Sequence, residues 1–168
     1  MSANTHPEMK IANVHLAVAN VERSLRFYHT FLGLPVAKLT SEKIIFLTAD
    51  TDHHVTLSTW SRAEEALPSP PGHSGLYHFS ILFAHRRSLA RIVKKIIAFA
   101  YPIDGALDYG DFEGIYLRDP DGIPVELYRN IPKEEWKKLL SGEPQYPKAI
   151  DLESLLQELQ PEKHPATS

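Results

Sequence analysis

One stretch of this chain occurs twice, and that repeat limits the possible folds more than any other feature. Phe46-Leu47-Thr48-Ala49-Asp50-Thr51-Asp52-His53-His54-Val55-Thr56-Leu57 aligns without gaps on Tyr116-Leu117-Arg118-Asp119-Pro120-Asp121-Gly122-Ile123-Pro124-Val125-Glu126-Leu127. The offset is 116 − 46 = 70, and Leu47/Leu117, Val55/Val125 and Leu57/Leu127 coincide. Two copies imply two similar substructures. Thr56 stands where Glu126 stands, so an ionisable group was placed in one copy and withheld from the other.

The surrounding patterns extend the repeat. Residues 11–18 form a short apolar run with His15 inside it, which reads as a buried strand. Asn20 caps an expected helix through Leu32, with Gly33 at its end. Residues 34–39, 43–48 and 53–60 read as three strands, giving β-α-β-β-β. A segment with Pro68, Pro70, Pro71 and Gly72 has linker composition. The same order then returns: a strand over 76–83 with His78 in it, a helix over 85–101 with an apolar face, and strands over 102–107, 114–118 and 123–129. The helix exits also correspond, Gly33-Leu34-Pro35-Val36 paralleling Ala100-Tyr101-Pro102-Ile103. A strand-and-helix chain of this kind is an α+β fold with two β-α-β-β-β modules (residues 10–60 and 75–130), which form a curved mixed sheet around a cleft if they pair. Residues 1–9 read as a disordered leader. Residues 131–168 read as a helical extension, with Pro132 opening a helix over 133–140 and Asp151 capping a last helix with Leu152, Leu155, Leu156 and Leu159 on one face.

The whole-chain properties exclude several classes. A length of 168 residues suits one domain or two small subdomains. A net charge of −3 leaves no basic face for nucleic acid. No apolar run is long enough to span a membrane, and no secretory signal is visible at the N-terminus. The chain has no cysteine, so thiolate chemistry is absent. These features fit a cytoplasmic protein.

His15, His78 and Glu126 fall in the first strand of module one, the first strand of module two and the last strand of module two. Side chains alternate along a strand, so all three face one side if the modules share a cleft. Two imidazoles and a carboxylate make a facial triad that leaves three positions of an octahedral metal open, which suits Fe(II). Each histidine alone reads more often as a hydrogen-bonded core residue than as a ligand. An unpaired carboxylate in an apolar strand is costly, and a cation is the simplest compensation.

Within this frame, Ile115-Tyr116-x-x-Asp119-Pro120-x-Gly122-x-x-x-Glu126 resembles the signature of extradiol ring-cleavage dioxygenases, in the vicinal oxygen chelate (glyoxalase/bleomycin resistance/extradiol dioxygenase) superfamily. The tail from Tyr128 to Leu159 resembles that of small catechol 2,3-dioxygenase-like proteins. The resemblance covers residues 10–130 and implies that His15, His78 and Glu126 hold Fe(II), with Mn(II) or another divalent metal as alternatives. It implies that Tyr116 hydrogen-bonds a substrate oxygen, and that His53, or His54 beside it, acts as acid/base. Family members often carry Asp-His-Gly in the loop before the tyrosine; this chain has Asp108-Tyr109-Gly110. Tyr109 can bond a substrate oxygen but carries protons poorly near neutrality. Phe79, Trp60 and Tyr128 are candidate pocket walls, with packing an equal claim on each.

The expected activity is therefore Fe(II)-dependent extradiol cleavage of a catechol-type aromatic by dioxygen, in a homodimer. Four-ligand isomerases and lyases of the glyoxalase type are disfavoured, because Thr56 occupies the place of the fourth ligand. A fosfomycin-type thiol transferase keeps the same three ligands and stays open. A non-enzymatic small-molecule binder is the third reading.

Overall fold

The β-α-β-β-β order is realised twice, once in each of two units, residues Met1–Ser69 and Pro70–Ser168. The computed structural model describes residues 13–39, 43–47, 54–59, 75–136 and 147–161. The expected leader, the proline-containing linker, His53, Trp60 and residues 137–140 of the expected helix lie outside the described residues.

In the first unit, β1 (Asn13–Ala17) leads through α1 (Val21–Leu25) to β2 (Val36–Leu39), β3 (Lys43–Leu47) and β4 (His54–Ser58). The sheet order is β1-β4-β3-β2, with β1 parallel to β4 and the other pairs antiparallel. Asn20 caps α1 as expected, its side-chain oxygen accepting from Arg23 N at 2.9 Å. The helix does not run regularly to Leu32. Residues Arg26–Phe31 widen into a π-helical turn, in which Leu32 N reaches back to Phe27 O at 2.8 Å. Buried Phe27 and Tyr28 meet edge to face there, 4.9 Å between centroids.

In the second unit, β5 (Phe79–Leu82) leads through α2 (Arg86–Ala98) to β6 (Gly105–Asp108), β7 (Phe112–Arg118) and β8 (Pro124–Asn130). The order is β5-β8-β7-β6, extended by β9 (Lys148–Ala149) on the outer edge of β6. Leu89, Val93 and Ile96 of α2, spaced four and three apart, are fully buried. Fully burying each side chain contributes about 1.5–3 kcal/mol, and that face holds α2 against β8.

Both helices end the same way. Gly33 has φ 89° and Ala100 has φ 48°, so the backbone turns through the left-handed region in both places before a proline-containing connection to β2 and to β6. The expected helix over 133–140 is instead a 3₁₀ turn, Lys133–Glu135, within the described residues. After β9, α3 (Leu152–Gln157) lies against α2 with Leu155 fully buried, and Asp151 caps it by accepting from Glu153 N and Ser154 N.

A buried ion pair ties these pieces together on the helix side of the second sheet. Glu113 and Arg129 are register partners on β7 and β8, with Arg129 Nη1 donating to Glu113 Oε2 at 3.1 Å. Arg86 at the start of α2 donates to Glu113 Oε1 at 3.0 Å and to Glu158, just past α3, at 3.0 Å. The last described segment is thereby anchored by charge as well as by Leu155.

Candidate metal-binding site

The opposite face of the second sheet collects the chemistry. Alternation along β7 and β8 puts Phe112, Gly114 and Tyr116 on that face with Glu126, Tyr128 and Asn130, because Gly114 pairs with Tyr128 and Tyr116 with Glu126. The register is set by the Asp119-Pro-Asp-Gly122 turn. Asp119 is buried and its Oδ1 accepts from Asp121 N at 2.9 Å and Ile123 N at 2.8 Å, while Gly122 adopts φ 82°. A one-residue slip there would turn Glu126 into the helix-side core.

Glu126 is 3% exposed and is met from three sides. Tyr116 donates its hydroxyl to Oε1 at 2.7 Å. Ser80 on β5, directly opposite Glu126, donates its hydroxyl to Oε2. His78 Nε2 lies 3.1 Å from the same Oε2. Gly114 makes the Tyr116 bond possible: a Cβ there would lie 2.6 Å from Glu126 Oε1 and 2.9 Å from the Tyr116 hydroxyl. The phenol folds back along its own strand through space that a side chain at 114 would take.

An aromatic row continues from this cluster. The Tyr109 hydroxyl lies 3.3 Å from that of Tyr116. The single proton of Tyr116 is engaged by the carboxylate, so Tyr109 supplies the one between the phenols. The Tyr109 ring stacks on Phe112 at 4.3 Å, and Phe112 stacks on Tyr128 at 4.9 Å. Tyr109 is aimed by a tight turn in which Gly110 takes φ 90° and its N–H donates to Asp108 Oδ1 at 2.7 Å. Burial first, and then the bonds to Tyr109 and Glu126, push the Tyr116 hydroxyl well above its usual pKa, so it stays a neutral donor. Tyr128 stands on this face as expected for a wall. Phe79 does not: it is 8% exposed and, one residue from Ser80, turns to the helix side with Val125.

His78 and Glu126 suit a cation between them. Two adjacent ligands at about 2.0–2.2 Å from one ion, at right angles, are about 2.8–3.1 Å apart, and the observed separation is 3.1 Å. The fit is on the Nε2 side. His78 Nδ1 is buried and has no hydrogen-bond partner among the described residues, whereas a ligating imidazole usually donates its other N–H. Within either unit, no three His, Asp or Glu side chains gather among the described residues.

The first unit holds the remaining candidates. His15 lies on β1 beside Thr56, and its Nε2 is 2.7 Å from Ser58 Oγ. Thr56 is 1% exposed, so the counterpart of Glu126 is filled by a buried hydroxyl residue. His54 opens β4, half-buried, beside Asn13 and Leu47 in the sheet.

The register corrects two details of the repeat. His15 pairs with Thr56, but Ser80, not His78, pairs with Glu126, so the first strands correspond at 80 − 15 = 65 rather than 63. His78 sits two residues before the position equivalent to His15 and just outside β5 (Phe79–Leu82), not within the strand expected over 76–83; it reaches Glu126 from the segment that leads into β5. Thr56 pairs with Ile45 while Glu126 pairs with Tyr116, an offset of 71 on β3 and β7. The gapless 70-residue alignment slips by one between these strands. Ser80 and Gly114 escaped the sequence reading, although each lies two residues from a residue it singled out.

The matches to known proteins agree with this fold. The family described as "Glyoxalase/Bleomycin resistance protein/Dioxygenase superfamily" matches residues 10–127. A protein of Bacillus subtilis (strain 168) named catechol-2,3-dioxygenase is 32% identical over 154 residues, which are 91% of this chain. The chain spans about half that relative's length, 53%. Among solved structures, a glyoxalase/dioxygenase from Nostoc punctiforme aligns with TM-score 0.60 at 21% identity, over 73% of this chain and 92% of that one. A lactoylglutathione lyase from Agrobacterium tumefaciens aligns with TM-score 0.56 at 20% identity, over 73% and 95% respectively. At these identities the two structures speak for the fold alone.

Proposed function

The chain belongs to the glyoxalase/bleomycin resistance protein/dioxygenase superfamily, and within it we propose an Fe(II)-dependent extradiol dioxygenase that cleaves a catechol-type aromatic. The carrying observation is the buried Glu126, with His78 3.1 Å from one oxygen and the Tyr116 hydroxyl on the other. The similarity to a protein named catechol-2,3-dioxygenase supports the same choice.

His78 and Glu126 would hold the metal, with His15 as the third donor that the family resemblance implies; Mn(II) or another divalent ion is the alternative. When bound, Fe(II) would supply neighbouring positions at which a catechol and dioxygen are brought together. The residues then have separate tasks. Tyr116, kept neutral by burial, donates to a substrate oxygen once that oxygen competes with Glu126 for its proton. Tyr109 supports Tyr116 through the contact between their hydroxyls and offers a second donor. The Tyr109-Phe112-Tyr128 row offers flat apolar surface to a ring. His54, or His53 beside it, accepts the proton that a catechol hydroxyl gives up, a role suited to an imidazole near neutrality. The buried Thr56 offers no carboxylate as a fourth ligand, which weighs against glyoxalase-type isomerisation. We further propose a homodimer.

The test is to load the protein with Fe(II) and expose it to simple catechols in air. A yellow ring-fission product with matching oxygen uptake is expected, and Tyr116→Phe is expected to lower the rate. No turnover across a broad catechol panel overturns the proposal.

A further inference from the structure

Glu126 has four lone-pair sites on two oxygens, and the protein has already assigned one on each. Tyr116 takes Oε1 and Ser80 takes Oε2. The two donors come from strands on either side of β8, Ser80 by its position opposite Glu126 on β5 and Tyr116 by its position opposite on β7. A carboxylate at the end of three rotatable bonds is thereby pinned in its plane. The oxygen bonded to Ser80 is also the one facing His78 Nε2. Ser80 is the exposed-side partner on an edge strand, while its chain neighbours Phe79 and Ile81 are in the core. Its hydroxyl contributes no apolar packing and donates to this carboxylate.

We propose that Ser80 is a positioning residue that fixes the rotation of the Glu126 carboxylate, so that Oε2 is presented beside His78 Nε2 as the metal-binding oxygen. This rests on the reading of Glu126 as a ligand. Tyr116 cannot do the same task alone, because the substrate draws its proton away from Oε1 during turnover. Ser80, bonded to the other oxygen, keeps the carboxylate in place when that happens. Hydrogen-bond partners of ligating groups of this kind typically change metal affinity 10–100-fold when removed.

The experiment titrates the full-length, metal-free protein and its Ser80→Ala, Ser80→Thr and Glu126→Gln variants with Co(II) alone. Visible d–d absorption and the rise in melting temperature are followed. Wild type is expected to bind, and Glu126→Gln to lose binding. Ser80→Ala is expected to bind about 10–100-fold more weakly, with an altered d–d spectrum and a far-UV spectrum like that of wild type. Ser80→Thr, which returns a hydroxyl on a residue suited to a strand, is expected to restore affinity and spectrum. A Ser80→Ala protein with wild-type affinity and spectrum, beside an impaired Glu126→Gln, overturns the positioning role and leaves the metal reading standing. Equal weakening in the Ala and Thr variants also overturns it. A wild-type protein that takes up no Co(II) overturns both.

Discussion

Gly114→Ala tests whether the Tyr116–Glu126 bond depends on missing volume. The new methyl would lie 2.6 Å from Glu126 Oε1, 2.9 Å from the Tyr116 hydroxyl and 3.1 Å from its Cζ. The first two separations are too short for any Cβ, so one side chain must leave. Glu126 is 3% exposed and also bonded to Ser80, whereas Tyr116 is half-buried at its rim, so the phenol is expected to swing out. A hydrogen bond to a charged group contributes about 1.5–3 kcal/mol. Replacing glycine at an ordinary strand position returns about 0.4–1 kcal/mol through the unfolded chain. The net expectation is a loss of about 1–2 kcal/mol, read from denaturant unfolding. Gly105→Ala is the control on the neighbouring strand, because its Cβ would meet Tyr116 Cδ2 at an ordinary 3.7 Å; it should be neutral or slightly stabilising. Gly114→Ala and Tyr116→Phe remove the same bond, so the double variant should be less destabilised than the sum of the singles. A Gly114→Ala protein as stable as wild type refutes the reasoning. So does additivity of the two variants within about 0.3–0.5 kcal/mol.

Three other outcomes follow from the structure. Glu113→Gln leaves Arg129, 7% exposed, with only the exposed Glu135 carboxylate, 3.9 Å away, as counter-charge; a loss of about 3–5 kcal/mol is expected in equilibrium unfolding, with release of the last helix seen as faster proteolysis after β9. Ala100→Gly relieves a left-handed residue at φ 48°; that strain, about 1–2 kcal/mol, exceeds the entropy added to the unfolded chain, so the melting temperature should rise slightly. The Tyr101 hydroxyl is pushed up to about 12, mainly by burial and then by the charge of Asp119. A raised value means that its contribution to stability is complete below the unfolded pKa near 10 and is lost as pH rises from there toward about 12. Comparing wild type with Tyr101→Phe, by absorbance titration and by unfolding across that range, checks the sign: the difference in stability should shrink with rising pH.

The sequence by itself was enough for the architecture. Period-two and period-3.6 apolar patterns, the caps Asn20 and Asp151, and the helix exits at Gly33 and Ala100 are local signals, each readable within a few residues. The repeat multiplied them, since what one module does the other must nearly do. It also singled out Glu126 against Thr56, because a carboxylate in an apolar strand stands out wherever the strand lies. Pairing between strands was beyond it. Whether His78 or Ser80 stands opposite Glu126 depends on a rung count across residues far apart in the chain, and a shift of two leaves the apolar pattern unchanged. Gly114 carried no local signal either: its role exists only because a neighbouring strand brings a carboxylate into the space a methyl would fill. The widening of the first helix into a π-turn, and the docking of the last segment as an edge strand followed by a helix whose end is held by Arg86, were likewise settled by packing and charge between distant segments. Composition and periodicity determine which face of a strand is buried; only tertiary pairing decides which atoms meet on it.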